Sequence, residues 1–211
     1  MTELILSLCV VFSFIICMII GCLIYKKKEK KVFNPLNTFP FEIEDKKDFS
    51  LTLLFRILLI VFVGVSCVDI LYLFMFHFDA DFSTKFLSII LLLEAFMLLG
   101  LFLVSTRVYK GHIIINCLFV VLNVIAYFIL GVSAISNKKD LWLIITSITI
   151  GVILLVLLLL PNMKEGYKLD KVESEELEIK KKTFNFYIFN EWLNILFFMI
   201  LLVISSVQYL L

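Results

Sequence analysis

The chain is poor in the residues and motifs that soluble enzymes use for chemistry. Its 211 residues include two histidines and three prolines, and its formal net charge is +1. The histidines, His77 and His112, fall on opposite sides of the membrane in the topology that the lysines predict, so they cannot form one site. No Gly-rich phosphate loop, His-Glu-x-x-His or Gly-x-Ser-x-Gly motif is present. We therefore expect no enzyme activity, no cofactor, no metal site and no nucleic-acid binding.

The cysteines give no sign of a disulfide framework. None forms a Cys-x-x-Cys pair, and all lie inside apolar runs, as small buried residues do. The sequence Ile19-Ile20-Gly21-Cys22 offers one alternative, because it resembles a bacterial lipoprotein cleavage box in which Cys22 would carry lipid. That alternative would place the lysines that follow outside the membrane, against the positive-inside rule.

Apolar residues dominate the chain instead. They make up 62% of it, and the mean hydropathy is +1.08, whereas a soluble domain is nearer half apolar. The first run, Leu4–Tyr25, holds 22 uncharged residues. At about 1.5 Å per residue it can cross a bilayer core of about 30 Å. These features predict an all-α, polytopic integral membrane bundle in contact with the lipid bilayer.

Six apolar runs divide the chain, which we treat as a single transmembrane domain, 1–211. The runs are 4–25, 49–76, 86–106, 113–136, 141–160 and 189–211. Five spans, with the last run lying in the membrane interface, are the main alternative.

Lysine and arginine are distributed unevenly between the connecting segments. Segments 26–48, 107–112 and 161–188 carry seven, two and six of them, whereas 77–85 and 137–140 together carry three. Because these residues concentrate on the cytoplasmic side, the first three segments are predicted to be cytoplasmic and both termini outside. The abundance of Lys, Ile, Phe and Asn is typical of an AT-rich bacterial source, which would make this a multi-pass protein of the cell membrane.

The segment 32–43 is predicted to lie at the membrane interface. Pro35 and Pro40 exclude a regular helix there, while aromatic residues, Phe39 and Phe41 among them, favour an apolar surface. We expect this segment to pack on helix ends or lipid headgroups.

Three further residues are predicted interface anchors. Arg56 and Arg107 lie near the cytoplasmic ends of their runs, where long side chains can reach the headgroups. Trp192 belongs to an aromatic belt at the start of the last run.

Two carboxylates lie deep in the apolar runs. Asp69 precedes Phe78 by nine residues and Glu94 follows Lys85 by nine, so the hairpin between them predicts a similar depth for both. Exposing a carboxylate to lipid costs about 2.5–3.5 kcal/mol near the centre of a span. We therefore expect both to face the bundle interior and at least one to be protonated.

The surroundings of these carboxylates leave three interpretations open. Ser66 and Tyr72 share the helix face of Asp69 and are further intramembrane polar candidates. The acidic groups could be structural and hydrogen-bonded, could bind a proton or cation, or could meet the intramembrane base of a partner protein.

The sequence favours a non-enzymatic function. The first hypothesis is an accessory, regulatory or immunity-type subunit that acts through helix contacts with a membrane protein partner or a second copy of the chain. The alternative is a small transporter or channel component that handles protons or cations through Asp69 and Glu94. An uncovered apolar face would favour the first, and access of water to the carboxylates the second.

The predicted topology can be tested by labelling single cysteines introduced on a background that lacks the native ones. Residues near positions 30, 110 and 175 are expected to be protected from an impermeant thiol reagent in intact cells and to react after lysis. Labelling of position 175 from outside would refute the orientation.

Overall fold

A computed structural model describes residues 2–36, 38, 40–43, 49–76, 82–103, 109–159 and 186–210. These residues form six long apolar helices, each able to cross a membrane. The all-α, six-helix prediction is therefore confirmed, and the chain is a multi-pass membrane protein. Long apolar runs become helices because lipid supplies no partner for backbone N–H and C=O groups, which a helix satisfies internally.

The helix ends differ by a few residues from the apolar runs, since helices continue into polar flanks. The helices are α1 (Thr2–Glu29), α2 (Phe49–Phe76), α3 (Phe82–Leu103), α4 (Tyr109–Ser136), α5 (Leu141–Leu159) and α6 (Phe186–Leu210). A short 3₁₀ helix, Pro40–Ile43, lies between α1 and α2. We call the end of the bundle where α1 terminates the lysine end, and the opposite end the far end.

Consecutive helices pack side by side and alternate in direction from α1 to α5. Ring contacts between Phe14 and Phe62, and between Phe55 and Phe102, join α1 to α2 and α2 to α3. The last helix does not lie at the edge of this row. It contacts α1, α3, α4 and α5, so α6 lies in the interior of the bundle.

Burial separates this central helix from the peripheral ones. Within the most apolar stretch of α6, 56% of the residues are buried, against 22% in α1 and in α5. A helix lying in the membrane interface would not be enclosed by four neighbours, so the structure favours six spans over the five-span alternative.

Small residues allow α4 and α5 to approach closely. Ser147 and Gly151 of α5 are buried, and a Cβ atom placed on Gly131 of α4 would lie 2.9 Å from Cγ1 of Ile148. The Ser-x-x-x-Gly spacing therefore lets the two helices approach closely. In membranes such close packing drives helix association, because lipid provides no hydrophobic effect between helices.

The segment after α1 folds back over the lysine end. Its 3₁₀ helix contacts α1 and α3, and Ile43 is completely buried. Thr38 accepts a hydrogen bond at its carbonyl from Nε1 of Trp192, at 2.8 Å. The segment therefore packs against helix ends. Phe39 and the side chain of Phe41 lie outside the described part of the structure.

Gly21 tests this packing. A Cβ atom at Gly21 would lie 2.8 Å from both Cγ2 of Ile43 and Cε2 of Phe55, whereas one at Gly64 would meet nothing within 4 Å. Gly21→Ala should therefore lower the free energy of unfolding by roughly 1–3 kcal/mol, as overpacking does. Gly64→Ala is the matched control, because it makes the same change in a membrane helix. Denaturation in detergent measures both, and equal stability of the two variants would contradict the packing.

Candidate functional site

Polar side chains in the bundle interior concentrate on α4 and α6. On α4 they include His112, Asn116, Asn123 and Tyr127, and on α6 they include Asn190, Glu191 and Asn194; all are buried. We call these seven residues the polar seam. Their spacings of three, four and seven keep each set on one helix face, and the two faces meet because polar groups avoid lipid.

Hydrogen bonds join the two sides of the polar seam at mid-depth. Nδ2 of Asn123 donates to the carbonyl of Asn194 at 3.3 Å, and the hydroxyl of Tyr127 donates to the carbonyl of Phe197 at 2.7 Å. Asn194 in turn donates to the carbonyl of Asn190 at 2.7 Å. Within the described residues, the Oδ1 atoms of Asn116 and Asn123 have no hydrogen-bond partner. The seam thus retains unused acceptors in the interior.

A buried contact between a histidine and a glutamate closes the polar seam at the lysine end. Nε2 of His112 lies 2.8 Å from Oε1 of Glu191, and both side chains are completely buried. Glu42, on the 3₁₀ helix, acts electrostatically on Glu191 and is itself only half-buried. The pair therefore lies just beneath a carboxylate that reaches the surface.

Asp69 belongs to a separate cluster near the far end, which joins three helices. The hydroxyl of Ser7 on α1 donates to Oδ2 of Asp69 on α2 at 2.7 Å. The hydroxyl of Ser206 on α6 forms a hydrogen bond with that of Ser7. Asp69 is completely buried, and its carboxylate lies where α1, α2 and α6 meet.

Glu94 has the fewest polar partners among the buried acids of the described helices. It is completely buried on α3, and neither of its carboxyl oxygens has a hydrogen-bond partner among the residues that the structure describes. It acts electrostatically on the hydroxyl of Tyr127. Since Thr84 contacts Ser133 in the antiparallel pair α3–α4, Glu94 lies near the level of Asn123, at the middle of the polar seam.

The two carboxylates face the interior as expected, but their depths differ. Asp69 lies seven residues before the end of α2 at Phe76, and Glu94 lies twelve residues after the start of α3 at Phe82. At about 1.5 Å per residue, Glu94 is about 7.5 Å deeper than Asp69. The equal depth expected from the hairpin is wrong, because α3 begins before Lys85, from which Glu94 was counted.

The other predicted residues are divided between the interior and the surface. Ser66 is buried next to Asp69 and donates to the carbonyl of Phe62 at 2.9 Å, while Tyr72 is half-buried and Arg56 is exposed. Trp192 makes edge contacts with the rings of Phe33 and Phe102. Arg107 lies outside the described residues.

Sequence reasoning missed the pairing of His112 with Glu191. It placed His112 in a loop and read the start of the last run only as an aromatic belt. Glu191 does carry a local signal, because an acid flanked by Asn190 and Asn194 at helical spacing predicts an inward polar face. The partner on α4 gives no comparable signal, since 79 positions of sequence separate the two residues.

The buried acids of the described helices lie apart from one another. Across the described segments, no group of three His, Cys, Asp or Glu side chains is placed to hold a metal ion. Asp69, Glu94 and Glu191 are instead distributed over three levels of the bundle. The arrangement is suited to binding a proton at each of several separate sites.

No protein-family model, curated protein or solved structure matches this chain.

Ser7 offers a test of the Asp69 cluster. Ser7→Ala removes one donor from a buried carboxylate, and a hydrogen bond to a charged group contributes roughly 1.5–3 kcal/mol. Ser13→Ala is the control on the same helix, because the Ser13 hydroxyl only donates to the carbonyl of Val10 in its own helix, at 2.7 Å. Unfolding in detergent should show a clear loss for the first variant. If Ser13→Ala is destabilised as strongly, the cluster does not hold the three helices together.

Proposed function

We propose that this protein is not an enzyme but a small transporter or channel component in which buried acids bind and release protons. The observation that supports this most directly is Glu94. Its carboxyl group is completely buried, and neither oxygen is hydrogen-bonded by any described residue. In membrane proteins, ionisable groups in such positions mark ion pathways and proton relays.

Energetics argue against a purely structural role for Glu94. A carboxyl group that stabilised the bundle would use its oxygens in hydrogen bonds, as Asp69 does with Ser7. A buried polar group without partners instead costs about 1–3 kcal/mol. An apolar residue of similar size at position 94 would avoid this cost, so the acid is better explained by a function that needs its protonation.

The surroundings of Glu94 favour a proton over a metal cation. A hard cation such as Ca²⁺ takes six to eight oxygen ligands, usually from several carboxylates and carbonyls. Glu94 is the only acid at its level in the described helices, and Asp69 lies about 7.5 Å away along the bundle axis. A proton needs a single oxygen, which this site offers.

The accessory-subunit hypothesis remains as the second candidate. α1 exposes most of its surface, and it carries a shallow apolar groove of about 380 Å³ lined by residues from Phe14 to Leu23. A partner helix could dock there. Lipid chains would fill the same groove, so this observation supports the hypothesis less strongly than Glu94 supports proton handling.

The proposed function can be tested with Glu94→Gln in sealed liposomes that contain a pH-sensitive dye. The wild-type protein should carry protons down an imposed gradient. The variant should fold, because glutamine keeps the shape and hydrogen-bonding capacity of a neutral acid, but it should lose the flux because an amide does not release a proton.

Asp140→Asn is the matched control, since Asp140 is an exposed carboxylate at the far end. It should retain both folding and flux. Proton flux through Glu94→Gln at the wild-type rate, or an absence of flux in the wild-type protein, would refute the proposal.

A further inference from the structure

We infer that His112 and Glu191 form the site at which protons enter the polar seam from the aqueous phase at the lysine end. The inference rests on the proposed function and extends it, because it assigns the point of loading and the direction of the path. It stands on three observations: the geometry of the pair, its nearness to a surface carboxylate, and the polar groups that lead from it to Glu94.

The pair is built as a proton-holding site. His112 on α4 and Glu191 on α6 meet at 2.8 Å with no exposed side-chain surface. A short contact between a ring nitrogen and a carboxyl oxygen lets one proton reside on either group while the pair stays neutral overall. Two isolated charges could not persist at this position, because an unpaired buried charge is strongly unfavourable.

Access to the pair comes from the segment that covers the lysine end. Glu42 acts electrostatically on Glu191, and it is half-buried, so part of its surface reaches solution. Nζ of Lys28 donates to the carbonyl of Glu42 at 3.1 Å, which holds the 3₁₀ helix against the end of α1. Among the described residues, the ionisable groups around the entry are His112, Glu191, Glu42, Lys28 and Glu29, whose Oε1 lies 3.2 Å from Nζ of Lys28.

Polar groups continue inward from the pair towards Glu94. Asn194 lies one helical turn beyond Glu191, and Asn123 donates to its carbonyl at 3.3 Å. Asn116 lies one turn beyond His112, with an Oδ1 atom that no described residue bonds. Such free acceptors can orient water molecules, which carry protons between side chains that do not touch. Glu94 lies at the inner end of these groups.

The transfer is a simple proton balance. The resting pair holds one proton between imidazole and carboxyl group. Passing that proton to an ionised Glu94 leaves neutral His112 beside the Glu191 carboxylate, so one negative charge moves from Glu94 to the pair and Glu94 becomes the neutral acid. A proton from water at the lysine end, collected near Glu42, then restores the pair. No redox partner or other reactant is required.

Proton flux in liposomes tests the assignment. Glu191→Gln and His112→Gln should each lower the rate by about a hundredfold or more, since one positioned proton-transfer group contributes roughly 10²–10⁴-fold. Asp140→Asn is again the control, because it converts an exposed carboxylate away from the pair to an amide and should leave the rate unchanged. A rate in Glu191→Gln equal to that of the control would overturn the inference.

Nuclear magnetic resonance of the histidine ring gives a second readout, which needs no change to the pair itself. The chain has two histidines, so His77→Gln leaves His112 as the only ring signal. The N–H protons of that ring should exchange with deuterium when the protein is moved into deuterated water. Ring protons that do not exchange while the protein stays folded would overturn the inference.

The two proposals can fail separately. If Glu94→Gln abolishes flux while Glu191→Gln behaves as the control does, protons are handled at Glu94 but enter elsewhere. If the wild-type protein shows no flux, the proposed function fails, and the exchange of the ring protons still decides whether the pair exchanges protons with solution.

Discussion

One face of α6 carries Asn190, Glu191, Asn194, Ser205 and Ser206, and lipid can satisfy none of them. In water such a face would turn outward, but in a bilayer it must be enclosed by other helices. This requirement places α6 inside the bundle although it is last in the chain and the least hydropathic of the six candidate spans. Its neighbours present polar side chains to it at both ends and at mid-depth, as His112, Asn123 and Ser7 do.

The contacts of α6 also fix how the first and fourth helices are aligned. At the far end, the hydroxyl of Ser206 bonds that of Ser7, which in turn holds Asp69. At mid-depth, Asn123 and Tyr127 bond backbone carbonyls of α6. Apolar packing in lipid has little preference among helix registers, because lipid tails are as apolar as the side chains. Hydrogen bonds between specific residues supply the specificity that apolar packing lacks.

The sequence was enough to predict the helices but not their partners. Uncharged runs such as Leu4–Tyr25 determine a membrane helix locally. The free-energy cost of exposing a carboxylate to lipid predicts that Asp69 and Glu94 turn inward. The relative depth of the two carboxylates was harder to predict, because it depends on the residue at which α3 begins. That residue is Phe82, which lies before Lys85. The pairing of His112 with Glu191 could not be predicted from the local sequence. The spacing of polar residues identifies the inward face of a helix but not the helix that packs against it.

The buried ionisable groups differ in the polar partners that their surroundings provide, and this difference affects where a proton is held. Asp69 has a serine donor and Glu191 has an imidazole, while Glu94, between them in depth, has no described hydrogen-bond partner. A carboxylate anion is most unfavourable where compensation is weakest, so a proton that reaches Glu94 is held there as the neutral acid. Its release then requires a change in the surroundings of Glu94, such as entry of water or movement of Tyr127. Proton movement through this bundle would therefore depend on a conformational step at mid-depth, between two ends at which the ionisable groups already have partners.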